Sequence, residues 1–153
     1  MINIAVPIIE DFEEINKIAK QIHDLHVLWR PDKFISVEQP IQKEYFSKLI
    51  ENKEIYAAKE NNKILGYVIT SMKEKKIYGF YDRKAIVIDV IVVDEYCQNG
   101  GIGKQLVEFI TELGKKEQCT EIYLTVNEEN TKAIEFYEKL GMRVNNISYS
   151  MRI

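Results

Sequence analysis

The chain has 153 residues, a length that favours one domain over residues 1–153 and leaves little room for a second independent core. Apolar residues make up 46% and charged residues 29%, too hydrophobic for a disordered chain and too interrupted for a membrane protein, since no apolar run approaches the roughly 18 residues of a spanning helix. A net charge of -3, from 21 Lys and Arg against 24 Asp and Glu, gives no broad basic footprint for nucleic acid.

Ile2 to Val6 is a short apolar stretch of strand character, closed by Pro7. Glu10 and Asp11 then lead into a helical stripe of Phe12, Ile15, Ile18, Ala19, Ile22 and Leu25, which predicts a helix from about Asp11 to Val27. Acidic residues in its first turn suit the positive end of the helix dipole, and Pro31 stops it beyond Trp29 and Arg30. After a loop, Pro40 can occupy the first turn of a second helix with Ile41, Tyr45, Phe46, Leu49 and Ile50 on its apolar face. From Glu54 the period changes: Ile55 to Lys59 and Ile64 to Met72 read as strands joined by a tight turn at Asn61 and Asn62. Lys75 to Lys84 reads as a loop. Ala85 to Val93 is apolar on both faces except at Asp89, the pattern of a central, doubly covered strand. Ile102, Leu106, Phe109, Ile110 and Leu113 predict a third helix, Glu121 to Val126 another strand, and Ala133, Ile134, Phe136, Tyr137 and Leu140 a fourth helix ending at Gly141. The alternation in Val144 to Ile153 predicts a final strand, free to pair within the chain or with a second copy, so a homodimer stays open. The order of elements describes one α/β domain with a mixed sheet flanked by about four helices.

Residues 1–10 lack the basic stretch and small-residue cleavage site of a secretory leader, giving an expectation of cytoplasmic location with no membrane partner. Cys97 and Cys119 lie outside any CxxC or Cys/His cluster, which gives no support for a disulfide framework or a zinc site. His23 and His26 lie three apart on the first helix with no third ligand in view, so no metal is expected there.

The segment Gln98-Asn99-Gly100-Gly101-Ile102-Gly103-Lys104 joins the most apolar strand to a helix. Glycines at such a junction let main-chain N–H groups approach an anion, which the helix dipole also favours. A Walker A loop would need a glycine at position 98 and Ser or Thr at 105, where the chain has Gln98 and Gln105. The dinucleotide fingerprint needs a small residue at 106, which is Leu106. The spacing that does match is Q/R-x-x-G-x-G/A, at Gln98, Gly101 and Gly103. Downstream, Asn130 to Met142 reads N-x-x-A-x-x-F-Y-x-x-x-G-M.

With both motifs in order on the expected elements, the sequence resembles the GCN5-related N-acetyltransferase family. The resemblance implies a splayed central strand pair that forms an acetyl-CoA cleft. It implies that the backbone of Ile91, Val92 and Val93 meets the pantetheine arm, and that Gln98, Asn99, Gly100, Gly101, Ile102, Gly103 and Lys104 hold the pyrophosphate. It further assigns Asn130, Ala133 and Tyr137 to the coenzyme, with the Tyr137 phenol protonating the departing thiolate. Gln98 stands where many relatives have Arg; it brings no charge, so backbone donors and Lys104 are expected to carry more of the anion. Asn130 also reads as the N-cap of the fourth helix, and the two roles are compatible.

Asp89 is the single charge in its run. Alternation puts it on the face of Ile91 and Val93, where burial would raise its pKa toward that of a general base; the competing reading is a structural Asp that satisfies nearby N–H groups. His26, Trp29 and Arg30 close the first helix where relatives build the acceptor wall, and Tyr78 and Tyr81 flank a loop that can face the acceptor. The expected activity is therefore acetyl transfer from acetyl-CoA to a small-molecule or peptide amine by direct attack in a ternary complex. The rival is a non-catalytic acyl-CoA-binding module in which Asp89 and Tyr137 are dispensable.

Overall fold

A computed structural model describes residues 1–153. In chain order its elements are β1 (Asn3–Ala5), α1 (Phe12–Trp29), α2 (Lys43–Glu51), β2 (Ile55–Glu60), β3 (Lys63–Lys75), β4 (Arg83–Val93), α3 (Ile102–Lys116), β5 (Glu121–Leu124) and α4 (Thr131–Lys139), with 3-10 turns at Ile9–Asp11 and Glu95–Cys97. No helix is long and apolar enough to cross a membrane.

The strands form a single sheet in sequence order, β1-β2-β3-β4-β5, antiparallel throughout except for the parallel β4–β5 pair. Asn61 and Asn62 take φ of 50° and 62°, the left-handed pair of a primed turn whose twist matches the flanking strands, so β2 and β3 close as the expected hairpin. β3 and β4 run longer than the apolar pattern alone indicated. Their polar ends, Lys73 to Lys75 and Arg83 to Ala85, stay paired, which leaves only a short exposed loop between them.

Each face of the sheet carries its own core. On one, Phe12, Ile15 and Ile18 of α1 and Phe46 and Leu49 of α2 pack on Ile55, Ala57, Tyr67, Ile69 and Val92. On the other, Ile102, Leu106 and Ile110 of α3 pack on Tyr56, Ala58, Val68, Ile86 and Ile88. Asn16, buried within the first core, accepts from the Ile41 amide at 2.9 Å and donates to the Ile41 carbonyl at 3.1 Å. That pairing draws Ile41 inward in a non-helical conformation, and α2 therefore starts at Lys43, beyond Pro40.

Two sequence expectations are corrected. Ile69 stands opposite Val90 while Thr70 stands opposite Ile88, so Asp89 is an extra residue, a bulge in β4. The bulge resets the alternation: Ile91 and Val93 join Ile86 and Ile88 over α3, Val90 and Val92 turn to the α1 side, and Asp89 is exposed rather than buried among them. The second correction concerns residues 144–153, which form no strand and stay exposed. Alternation supplies a strand's side-chain pattern but no hydrogen-bonding partner, and none is paired with this segment in the chain.

Replacing Asn16 with Ala leaves the Ile41 N–H and C=O buried without partners. The expected loss of stability is about 2–4 kcal/mol, read from the shift in urea midpoint at constant slope.

Candidate active site

β4 pairs with β5 only from Ala85 to Ile88, opposite Glu121 to Leu124. β5 stops there while β4 runs on through the bulge to Val93, so the two strands part and the β5-facing edge of Asp89 to Val93 is open. An open edge of this kind pairs with an extended amide-bearing ligand as if it were another strand.

At the tip of that edge the chain turns through Glu95–Cys97 into α3. Asp94, 7% exposed, fixes the turn by accepting from the Tyr96 amide at 3.2 Å and from Gln21 Nε2 at 3.1 Å, while Gln21 Oε1 accepts from the Glu95 amide at 3.0 Å. α1 thus clamps the start of the loop. Asn99 and Gly101 adopt φ of 68° and 76°, and Gly101 caps α3 with no side chain covering the helix end. None of the amides from Gln98 to Lys104 finds an acceptor within the chain. Orphan amides at a helix N-terminus form a ready anion site, and the positive-φ residues curl the backbone around it.

Gly103 explains how this turn meets the second motif. A Cβ there would lie 3.2 Å from the Phe136 ring, so glycine lets the first turn of α3 close on α4. Phe136 packs in the α3-side core, and Tyr137, one position on, is half-buried with its ring 5.4 Å from that of Phe136. The Tyr137 hydroxyl makes no hydrogen bond within the chain and is not sealed from solvent. Burial pushes its pKa up to about 12, so the phenol holds its proton at neutral pH. Asn130 caps α4 by accepting from the Ala133 amide at 3.2 Å.

The charge at the turn is arranged differently from the sequence expectation. Lys104 Nζ leans back along α3 to Glu108 at 3.7 Å, whereas Lys132, at the start of α4, donates to Gln98 Oε1 at 3.4 Å. Gln98 Nε2 in turn reaches the Val93 carbonyl at 3.5 Å. Lys132 is therefore the cation beside the neutral Gln98. Sequence reasoning missed it because the contact joins residues on different elements, although its place in the first turn of the motif-bearing helix was a usable signal.

The Tyr45 phenol lies near enough to Asp89 and Glu54 to feel both charges. Burial raises the Tyr45 pKa, with the Asp89 charge as the next cause, and burial drives that of Tyr67 far above its usual value, with Tyr45 contributing. In the sequence Tyr45 stood out only as part of an apolar helix face, and Tyr67 only as a position within the Ile64 to Met72 strand.

The predicted acceptor residues divide. The His26 ring lies 5.7 Å from Trp29 and 4.9 Å from Phe34, and burial, then His23, lowers its pKa. His23 Nε2 sits 2.8 Å from the Ile35 carbonyl. Arg30 is held by Asp32 through two bonds of 2.9 Å and 2.7 Å, and its guanidinium keeps the Asp32 carboxyl at about 2. These three form one cluster at the end of α1. Tyr81 does not join it: it is 93% exposed in the β3–β4 loop, roughly 25 Å along extended chain from Asp89.

Comparison with known proteins places the whole fold. The model of the acetyltransferase (GNAT) family matches residues 19–142, and the chain belongs to that family. Spermine/spermidine N(1)-acetyltransferase of Bacillus subtilis (strain 168) is 34% identical over 59 residues, which is 38% of this chain and only 39% of the relative. Among solved structures, a mutant protein from Bacillus halodurans is 29% identical with a TM-score of 0.90, covering 100% of this chain and 99% of its own. An aminoglycoside N-acetyltransferase in complex with CoA has the same fold at 15% identity and a TM-score of 0.75, covering 100% and 95%.

The Tyr137 pKa has a measurable consequence. Because the folded value lies above the ordinary tyrosine value of about 10, burial of the neutral phenol stabilises the fold fully below pH 10, and that share is lost as pH rises toward 12. Urea midpoints are expected to fall over this window by more for the wild-type chain than for Tyr137→Phe. Equal falls would show the phenol to be solvated.

Proposed function

We propose that this protein is an N-acetyltransferase that uses acetyl-CoA as co-substrate and acetylates a primary amine by direct attack in a ternary complex. The observation that carries the reading is the run of acceptor-free amides from Gln98 to Lys104 at the tip of an open strand edge, beside the protonated Tyr137 phenol. These parts fit the coenzyme: the amides and Lys132 suit a diphosphate, and the open edge of Ile91 to Val93 suits the amide-bearing pantetheine arm. Acetyl-CoA supplies an activated acyl thioester.

The chain's residues have distinct tasks. Main-chain N–H groups on the open β4 edge are free to polarise a carbonyl. Tyr137 delivers its proton to the leaving sulfur, and the Asp89 carboxylate, with the exposed Tyr45 side chain near it, receives the amine. Asp89, exposed on its bulge, takes up the ammonium proton directly or through water. Cys97 is not asked to act as a nucleophile; it lies in the turn beside the anion site. The acceptor belongs to the amine class that includes polyamines, the substrates in the name of the Bacillus subtilis relative.

The test is thiol release from acetyl-CoA across a panel of polyamines, aminoglycosides and peptide amines. Turnover on at least one is expected. Coenzyme binding without acceleration by any amine would favour the non-catalytic reading. With an active acceptor in hand, Tyr137→Phe is expected to lower kcat by about 10- to 100-fold with KM for acetyl-CoA little changed. Lys132→Glu is expected to do the reverse, raising that KM by roughly 10-fold at nearly constant kcat, because it alters a ground-state contact.

A further inference from the structure

The hairpin between β3 and β4 outgrows the sheet. β2 reaches only to Ile55, opposite Ile69, and β5 begins at Glu121, opposite Ala85. The last two rungs, Glu74–Lys84 and Lys75–Arg83, therefore form a two-stranded ribbon beyond both neighbouring strands. Its tip is an ordered turn: the Phe80 amide donates to the Ile77 carbonyl at 3.0 Å, and Gly79 takes φ of 84° at the third position, with Tyr78 beside it at the apex. Ile77, Tyr78, Phe80 and Tyr81 are 52%, 104%, 65% and 93% exposed, so four large apolar or aromatic side chains within five positions meet only water.

The ribbon beneath this tip is basic. Residues 73–84 hold five Lys and Arg against two Asp and Glu, a local excess of three cations in a chain whose net charge is -3. Lys75 and Arg83 stand directly opposite each other on the last rung, a like-charge cross-strand pair that costs stability. Arg83 meets Glu121 at 3.9 Å, a long contact between exposed groups, while Lys75 and Lys76 pair with no carboxylate of the chain. An external anion would relieve this rung.

An aromatic apex above a collar of cations suits a bilayer with anionic headgroups: aromatic side chains settle at the headgroup boundary, and the negative surface potential attracts Lys and Arg just outside it. A protein interface of standard size takes about 20 residues from each partner, more than a one-turn convex tip offers. Single-stranded nucleic acid is held along a cationic groove lined with stacking platforms, whereas the cations here are confined to the rungs beneath the tip. The expectation of no membrane partner rested on the lack of a leader and of a spanning run, and neither bears on a peripheral contact.

We propose that the β3–β4 hairpin is a membrane-contact site: Ile77, Tyr78, Phe80 and Tyr81 enter the headgroup layer of an anionic bilayer, while Lys75, Lys76 and Arg83 face its phosphates. Arg83 and Val93 are opposite ends of β4, so a hairpin seated in this way keeps the turn that follows Val93 away from the lipid surface.

Flotation with vesicles of equal parts phosphatidylglycerol and phosphatidylcholine is expected to carry the wild-type chain at low salt, and vesicles of phosphatidylcholine alone to leave it behind. High salt is expected to release most of the bound chain, because it screens the headgroup charge. Tyr78→Ser with Phe80→Ser should lower the bound fraction by about 10-fold, as should Lys75→Glu with Lys76→Glu, with circular dichroism unchanged because all four positions are exposed. Phe80→Trp should show emission that shifts to the blue and is quenched by brominated lipid on the anionic vesicles. Failure of the wild-type chain to float with anionic vesicles overturns the proposal, as does flotation that survives the serine pair. A single-stranded oligonucleotide bound through these residues in place of vesicles, or a wild-type dimer that the serine pair dissociates, would assign the tip to a different partner and overturn it equally. If the serine pair fails to fold, the lysine substitutions and the Phe80→Trp emission decide.

Discussion

The one-residue bulge at Asp89 is the constraint on which the rest of this molecule depends. A strand with unbroken alternation would send positions 86, 88, 90 and 92 to the same face and stay alongside its neighbour. The extra residue divides β4 into two registers, so that Ile86, Ile88, Ile91 and Val93 serve the α3 core while Val90 and Val92 serve the α1 core. Beyond the bulge β4 has no partner on its β5 side, which opens a main-chain edge inside an otherwise paired sheet. The same residue carries an exposed carboxylate, the one proposed above as the base. In the proposed mechanism backbone irregularity and acting side chain coincide, as bulges near active sites commonly do.

The anion site depends on contacts that span the whole fold. Asp94 and Gln21 tie the departing turn to α1, Gly103 admits the Phe136 ring, and Lys132 brings the charge that Gln98 lacks. Because α4 supplies both Lys132 and Tyr137, the placement of that one helix against α3 sets the distance between the proposed phosphate-binding cation and the proposed acid. Despite the shallow burial of α4, the Phe136 ring against Gly103 ties it to α3.

Much of this was legible in the sequence. The helical stripes, the Asn61-Asn62 hairpin and the glycine-rich junction each depend on residues close together in the chain, where periodicity and local backbone preference decide the outcome. The two motifs were enough to assign the family. Element ends were less legible where polar residues stayed paired, as in β3 and β4, or where a tertiary bond displaced a helix start, as Asn16 does at Ile41.

What the sequence determined by itself was therefore the set of elements, their order, and the residue types at the strand-to-helix junction, because those follow from local patterns of polarity and conformational freedom. Only the tertiary structure decided that Asp89 is an exposed bulge, that Lys132 rather than Lys104 reaches Gln98, that Tyr45 comes near enough to Asp89 to feel its charge, and that residues 147–153 find no partner in their own chain. Each of these outcomes depends on which distant group occupies the neighbouring space and completes a hydrogen bond or shields a charge. No periodicity in a single chain encodes that directly.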